Sequence, residues 1–355
     1  MKGKIILLAV LLSLLLGGCS FWMDDTYVSV KPYQVQQVQS EFEAVTADSY
    51  IGVREVLETM VGDCVQSAVI AVPGIDERTI DYYMSAATNY VIRDNAIGAY
   101  AVEQISYEIG TNGDELAIAV DISYRYNRFD ILRITRVKDT AAAITEVENA
   151  LQQYDPEVKL FVGEYTETDF LQLVQDYVDA NPQLCVEMPQ VTAAVYPDSG
   201  AERVIVLTFT YWNSREVLRS MQQNVQEVFE QLKPEGNSPQ RLAEGVYTFL
   251  MNRHEYKVEK SLTPSYSLLR YGVGDHKAFA TIFAAMCRQV GLNCQVVSGA
   301  KGGEAWHWNV ILDGGNAYYV DLLRCYEAGA FEMLQESQMR GYVWDYSAYG
   351  STAGQ

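Results

Sequence analysis

Histidine and paired cysteines are scarce in this 355-residue chain. It has three histidines, His254, His276 and His307, and six cysteines, none of them arranged as C-x-x-C. Structural zinc sites are built from four such ligands at short, regular spacings. The sequence therefore predicts no metal site, and it holds no motif that calls for a cofactor.

Basic side chains are also in short supply. The chain has 26 Lys and Arg against 46 Asp and Glu, which gives a formal net charge of −20 at pH 7. Such a surface repels phosphate backbones and other anionic surfaces, so the composition argues against a nucleic-acid partner. It is compatible with cations or basic peptides as partners.

Only one long apolar run is present, and it lies at the N-terminus. Lys2 and Lys4 precede the run Ile5 to Leu16, which is too short to span a bilayer, and Gly17-Gly18-Cys19 follows it. This pattern resembles the signal peptide (residues 1–18) and lipobox of bacterial lipoproteins; the alternative is an uncleaved anchor helix. The resemblance implies cleavage before Cys19, lipidation of Cys19 and a position outside the cytoplasm, attached to the membrane.

Five cysteines follow Cys19. A disulfide is allowed outside the cytoplasm, and three of the five fall in one predicted domain, so a pair among those three is one expectation. The other is that all five are buried and reduced. The five are Cys64, Cys185, Cys287, Cys294 and Cys325.

The region after residue 45 contains a weak internal repeat. Residues 19–45 are polar and read as a tether, and residues 46–155 and 156–236 then each show the order strand–helix–strand–strand–helix. Each unit has a hairpin turn signal, at Thr111-Asn112-Gly113-Asp114 and at Asp198-Ser199-Gly200. The pattern predicts an α+β fold in which helices cover antiparallel sheets.

A third domain is predicted at residues 237–355. Pro234, Gly236 and Pro239 mark its boundary, and Ser238 reads as the N-cap of its first helix. A long loop, a helix from His276 to Val290 and three strands at 293–300, 304–313 and 316–323 should follow. A short helix at Glu332 to Met339 and an edge strand in GYVWDYSAY complete the prediction.

Two segments of this domain resemble the transglutaminase-like family, part of the papain-like cysteine-nucleophile superfamily. They are SYSLLRYGVGDHKAFATIFAAMCRQVGLNCQVVSG and WHWNVILDGGNAYYVD. The family places a nucleophilic cysteine at a helix N-terminus, a histidine base on a strand and an orienting aspartate at the end of a later strand. The resemblance puts these three roles at His276, Trp306 and Asp321, in that order.

Only Asp321 has the residue type that its role requires. Imidazole can attack a carbonyl but needs its own base, and indole is not a base. We therefore expect a domain that binds a peptide, a cell-wall glycan fragment or an envelope protein without turning it over, with His307, Trp308, Tyr271 and Glu304 as contact residues.

Two alternatives stay open at this point. One is a cysteine-independent amide hydrolase or transamidase that uses His276 or His307 together with Asp321. Because neighbours on a strand face opposite sides, His307 is expected to point away from Trp306 unless a bulge re-aims it. The other alternative is a purely structural assembly subunit.

Overall fold

The computed structural model describes residues 45–112, 115–252 and 261–349. The predicted signal peptide, Cys19 and all but the last residue of the tether lie outside these described residues. Across the ranges that are described, no helix combines the length and the apolar character needed to cross a bilayer.

The first sheet and its helices are built from residues 45–124. In chain order the elements are β1 Val45–Thr46, α1 Tyr50–Gly62, β2 Ser67–Ala71, α2 Glu77–Arg93, α3 Ala96–Ala101, β3 Val102–Asn112 and β4 Glu115–Tyr124. The strand order is β1-β2-β4-β3. β1 runs parallel to β2, and the other two pairs are antiparallel.

The second sheet is built from residues 128–210. Its elements are α4 Arg128–Leu132, β5 Thr135–Asp139, α5 Thr140–Gln153, β6 Glu157–Glu164, α6 Phe170–Ala180, β7 Gln190–Tyr196 and β8 Arg203–Thr210. The strand order is β5-β6-β8-β7. β5 runs parallel to β6, and the other two pairs are antiparallel.

The two sheets therefore share one topology, but the repeated unit is not grouped as the sequence suggested. In each sheet a short strand, a crossover helix and a parallel strand come before the second helical stretch and the hairpin. α5 was expected to close the first unit, yet it connects β5 to β6, because two parallel strands can only be joined by a crossover. The observed unit starts one strand and one helix earlier than the predicted one.

The third sheet belongs to the C-terminal region. The elements are α7 Arg215–Glu230, α8 Pro239–Met251, α9 Pro264–Tyr271, α10 His276–Gln289, β9 Asn293–Lys301, β10 Glu304–Asp313, β11 Asn316–Val320, α11 Leu322–Ala328 and β12 Tyr342–Trp344. The strand order is β11-β10-β9-β12, and every pair is antiparallel. α7 was expected to close the second repeat, but its Leu218, Val225 and Phe229 share a core with α10.

Local sequence signals explain several boundaries in this region. The Ser238 hydroxyl accepts from the N–H of Arg241 at 3.3 Å, and Pro239 opens α8. α10 ends two residues before Gly291, which has a φ of +87° that favours glycine. Two predictions differ from the structure: α9 occupies part of the predicted long loop, and the segment predicted as a helix at 332–339 holds only a single 3₁₀ turn, Glu336–Gln338.

The third sheet has a different core on each face. Alternate residues of β10 point to opposite sides: Ile311 joins the core shared with α10, whereas Trp308 and Val310 join an aromatic cluster with Tyr342 and Trp344. Asn309, on the α10 side, donates from Nδ2 to the carbonyl oxygen of Ala280 at 2.8 Å. β10 is thus fixed against the first half of α10, and this contact positions the candidate site.

Candidate functional site

His276 is the first residue of α10, at the helix N-terminus where the family resemblance puts the nucleophile. Asp275 caps this helix: its Oδ1 accepts from the N–H of Ala278 at 2.9 Å. The predicted position of the nucleophile at a helix N-terminus is therefore present, with an imidazole in place of a thiol.

Trp306 lies between His276 and Asp321. Its ring centroid is 4.4 Å from that of His276, with an interplanar angle of 30°. Its indole Nε1 donates to Oδ2 of Asp321 at 3.0 Å. The three positions predicted as equivalent to a catalytic triad thus converge, and the indole occupies the place of the base.

The carboxylate of Asp321 accepts hydrogen bonds from five donors. It is the N-cap of α11, where its Oδ1 accepts from the N–H groups of Leu323 at 3.1 Å and Arg324 at 3.3 Å. Its Oδ2 accepts from Lys301 Nζ at 2.9 Å and from Tyr342 Oη at 2.6 Å, in addition to Trp306. A carboxylate offers about four lone-pair directions. Five donors therefore leave this buried group, 2% exposed, with no direction free for an imidazole.

Lys301 and Tyr342 are site residues that the sequence did not reveal. Lys301 Nζ lies 4.9 Å from the ring centroid of Trp306, so one ammonium group contacts both the carboxylate and the indole. Burial, together with the hydrogen bond to Asp321, raises the pKa of the Tyr342 hydroxyl, which keeps it protonated as a donor. Tyr342 stands in the short β12, paired with β9, so only the tertiary fold brings it to the carboxylate.

His307 contacts His276 directly. Their Nδ1 atoms are 3.1 Å apart and the ring planes differ by 15°. The β9–β10 register is regular from Glu304 to Leu312, so no bulge re-aims His307. His307 and Trp306 project from opposite faces of β10. His307 faces α10 and therefore contacts His276, the first residue of that helix. The long indole of Trp306 also reaches the imidazole of His276.

Both imidazoles are held in the neutral form. Burial lowers the pKa of His276, partly offset by the carboxylates of Asp275 and Asp321. Burial lowers the pKa of His307 as well, with His276 and Lys277 adding to the effect. One neutral ring therefore donates its Nδ1–H and the other accepts.

These side chains pack closely against one another, and His276, Trp306 and His307 each keep part of their surface exposed. The void bordered by His276, His307, Asn309 and Asp321 has no volume that a water-sized sphere could occupy. In the part of the chain that is described, no hydrogen bond joins Asp321 to either of these histidines. The arrangement is a packed hydrogen-bonded cluster without an internal cavity.

The other predicted contact residues do not line one groove. Trp308 is 1% exposed and lies in the aromatic cluster behind the sheet, and its contact with a ligand stays a prediction. Tyr271 is exposed at the end of α9, where it meets Tyr266 edge-on at 5.6 Å. Glu304 is exposed at the start of β10.

The five cysteines of the described region are buried and unpaired: Cys64, Cys185, Cys287, Cys294 and Cys325. The expectation of a pair among the last three is not met. Burial raises the pKa of Cys185 to about 12 and that of Cys325 to about 11. Cys287 lies in the interior of α10, so it cannot take over the nucleophile role at the N-terminus of that helix.

Comparison with known proteins shows which family the C-terminal region matches. Residues 226–346 match the model of the transglutaminase-like superfamily. No curated protein sequence matches the chain. The similar solved structures include a transglutaminase, with 10% identity and a TM-score of 0.27, covering 50% of this chain and 57% of that one.

Two further similar structures are described as proposed proteases. One, from Cytophaga hutchinsonii, is named as a cysteine protease: 11% identity, TM-score 0.26, covering 44% of this chain and 70% of that one. The other, from Parabacteroides distasonis, shows 10% identity and a TM-score of 0.20, covering 62% of this chain and 51% of that one. The family model, the α+β architecture and the converging triad positions together identify residues 226–346 as a transglutaminase-like domain.

Proposed function

We propose that the protein is a lipid-anchored, extracytoplasmic lipoprotein whose transglutaminase-like domain binds a ligand without catalysing its turnover. The ligand is a peptide, a cell-wall fragment or another envelope protein. The observation that carries the proposal is the hydrogen bond from Trp306 Nε1 to Asp321 Oδ2, at the place where a catalytic histidine would be oriented.

The chemistry of amide transfer supports a non-catalytic role. It needs a nucleophile, a base that accepts and returns a proton, and a group that orients the base. The indole nitrogen is only a donor, so Trp306 cannot accept a proton. Asp321 has no lone pair left for another imidazole, and the packed cluster holds no internal cavity for the substrate carbonyl.

Membrane attachment rests on the N-terminal sequence pattern. Each buried CH₂ of an acyl chain contributes about 0.8 kcal/mol, so several chains on Cys19 hold a protein firmly on a bilayer. Expression in a bacterium that processes lipoproteins, followed by membrane fractionation and mass spectrometry of the N-terminal peptide, tests this part. We expect a lipidated Cys19 in the membrane fraction, and release of the Cys19→Ala variant from it.

One contact favours a second candidate function, a cysteine-independent amide hydrolase or transamidase. In that mechanism His276 attacks and His307, 3.1 Å away, serves as its base. The mechanism requires a substrate to reach both imidazoles, each of which is only partly exposed. It also needs another group to orient the base, because Asp321 is occupied.

An activity assay on the full chain in detergent micelles decides between the two. A glutamine-containing peptide is incubated with and without a primary alkylamine, with no added thiol, and ammonia and peptide–amine adducts are measured. We expect no turnover above that of a heat-denatured sample. Turnover that is lost in His276→Ala and kept in the exposed control Tyr82→Ala would overturn the proposal of a non-catalytic domain.

A further inference from the structure

A cavity of about 400 Å³ lies between the second sheet's helix layer and the transglutaminase-like domain. One wall is α6 with the segment that follows it, and the other is α9 and the first turns of α10. Its volume falls in the usual range for pockets that hold small ligands. Neither His276 nor Trp306 lines it, so this cavity is separate from the packed triad cluster.

The walls of this cavity are mainly aliphatic. Val178 and Val186 line it on the α6 side, and Ala278 and Ile282 line it on the α10 side. All four are buried. No aromatic residue is among its lining residues in the described part of the chain. Apolar surface is thus available to an aliphatic group, whereas the flat rings that stack on sugars are missing.

Two hydroxyl groups in the walls have no hydrogen-bond partner among the described residues. Ser265 is 4% exposed and Thr281 is 9% exposed, and both line the cavity. Neither side chain makes a hydrogen bond within the described residues. Neither oxygen is among the fully buried side-chain atoms that lack a partner in the described residues, so both hydroxyls are accessible from the cavity. A bound molecule with an amide group can donate to one hydroxyl and accept from the other.

The charged groups around the cavity disfavour an anion. Asp179, Asp275 and Lys277 are among its lining residues, and Lys277 Nζ lies 3.0 Å from Asp179 Oδ2. The side chains of this ion pair are 42% and 38% exposed, which puts the pair where the cavity meets solvent. An exposed ion pair of this kind contributes little to stability, so a ligand that enters the cavity can displace it at a low cost in free energy.

We infer that this cavity binds the aliphatic side chain of a peptide, whose backbone amide hydrogen-bonds to the hydroxyls of Ser265 and Thr281. The inference rests on the proposed ligand-binding function and narrows its ligand to a neutral or cationic peptide. It places the contact between the second sheet's helices and the transglutaminase-like domain, away from the triad cluster.

Titration of the full chain in detergent micelles with N-acetyl-leucine methylamide, followed by ligand-observed NMR, tests the inference. N-acetyl-glycine methylamide lacks the side chain, the free carboxylate N-acetyl-leucine adds a negative charge, and N-acetylglucosamine represents a glycan. We expect the leucine amide to bind at least about tenfold more tightly than the glycine amide, as burial of its methylenes and methyls predicts. The carboxylate and the sugar should both bind more weakly than the leucine amide.

Two variants locate the binding. Thr281→Val keeps the shape of the side chain and removes the hydroxyl, so it should weaken leucine amide binding by roughly threefold to tenfold. Its matched control, Thr145→Val on the exposed face of α5, should leave the affinity unchanged. Ala278→Leu should fill the cavity and abolish binding of the leucine amide. If that variant does not fold, Thr281→Val still tests whether the ligand binds in this cavity.

Equal affinity for the leucine and glycine amides would overturn the inference, as would tighter binding of the sugar or an unchanged affinity in Thr281→Val. These outcomes differ from a failure of the proposed function, which would show as peptide turnover that depends on His276. A protein that neither turns over nor binds the leucine amide would refute only the cavity assignment.

Discussion

The indole Nε1 of Trp306 lies 3.0 Å from Oδ2 of Asp321, and the same indole lies against the imidazole of His276. The hydrogen bond that would orient a general base is therefore made, but by a side chain that cannot accept a proton. The three positions that the family resemblance assigns to a catalytic triad thus pack against one another. This view can be tested by trying to restore the chemistry.

The double variant His276→Cys/Trp306→His should recover a reactive thiol. An imidazole at position 306 can stabilise a thiolate at the N-terminus of α10, and such surroundings lower a thiol pKa by several units. We expect alkylation by iodoacetamide at pH 6.5 to be at least about tenfold faster than in the single variant His276→Cys. Rates are followed by mass spectrometry of the α10 peptide.

The single variant is the matched control, because it places the same thiol beside an unchanged indole. Equal alkylation rates in the two proteins would mean that position 306 does not reach the nucleophile position as the structure indicates.

Asp321→Asn should destabilise the domain strongly. The carboxylate is buried and accepts from Lys301, Trp306, Tyr342 and two backbone N–H groups of α11. Loss of its charge leaves the Lys301 ammonium group without a counterion and turns charge-assisted bonds into neutral ones. We expect a loss of about 3 kcal/mol in the free energy of unfolding, measured by urea denaturation.

Asp313→Asn, at an exposed carboxylate on the β10–β11 turn, serves as the control and should change stability by less than about 0.5 kcal/mol. Tyr342→Phe removes one donor and should fall between the two. A loss in Asp321→Asn no larger than that in Asp313→Asn would contradict the role of Asp321 as a structural anchor.

The histidine pair should make stability depend on pH. Burial lowers the folded-state pKa of both His276 and His307 below the unfolded value of about 6.5. The unfolded state then binds protons first as the pH falls. The contribution of the pair is therefore present above about pH 6.5 and is lost as the pH falls through the folded-state values.

Asp275 and Asp321 near His276, and Lys277 and Asp179 near His307, set how far the two values move. Urea midpoints between pH 5 and 8 measure the slope. The double variant His276→Asn/His307→Gln should have a flatter profile below pH 6.5, and a slope identical to that of the parent protein would rule out the pair as its source.

The described cysteines should be unreactive in the native protein. All five are buried, and burial raises the pKa of Cys185 to about 12 and of Cys325 to about 11, so few thiolates form near neutral pH. We expect no labelling of these five by Ellman's reagent until the chain is unfolded in denaturant. Mass mapping without reductant should find five free thiols, and a pair with the mass of a disulfide would contradict this structure.

Local sequence signals were enough to predict much of the fold. Caps such as Ser238, alternating strands and the glycine-rich hairpin turn at Gly314-Gly315 predicted most elements of the last sheet to within a few residues. The grouping of elements into units was wrong where it depended on which strands pair. β1 has only two residues, and β5 (TRVKD) has a single apolar residue, so neither shows an alternating pattern. No periodicity reveals that α5 is a crossover helix. Parallel pairing is a tertiary fact that local pattern does not encode.

The candidate site was predictable only in part. The spacing from the α10 motif and from Trp308-Asn309 to the ends of the strands placed His276, Trp306 and Asp321, because the family frame fixes those distances along the chain. The contact between His276 and His307 was missed, since alternation says which face a residue takes but not which helix lies over that face. Lys301 and Tyr342 reach Asp321 through side-chain length and sheet pairing, which single-sequence patterns do not show.

Asp321 begins α11 as well as closing the Trp306 cluster. Selection for a folded C-terminus would keep this aspartate whether or not the domain catalyses a reaction. The presence of an aspartate at position 321 is therefore, by itself, a poor marker of an active enzyme.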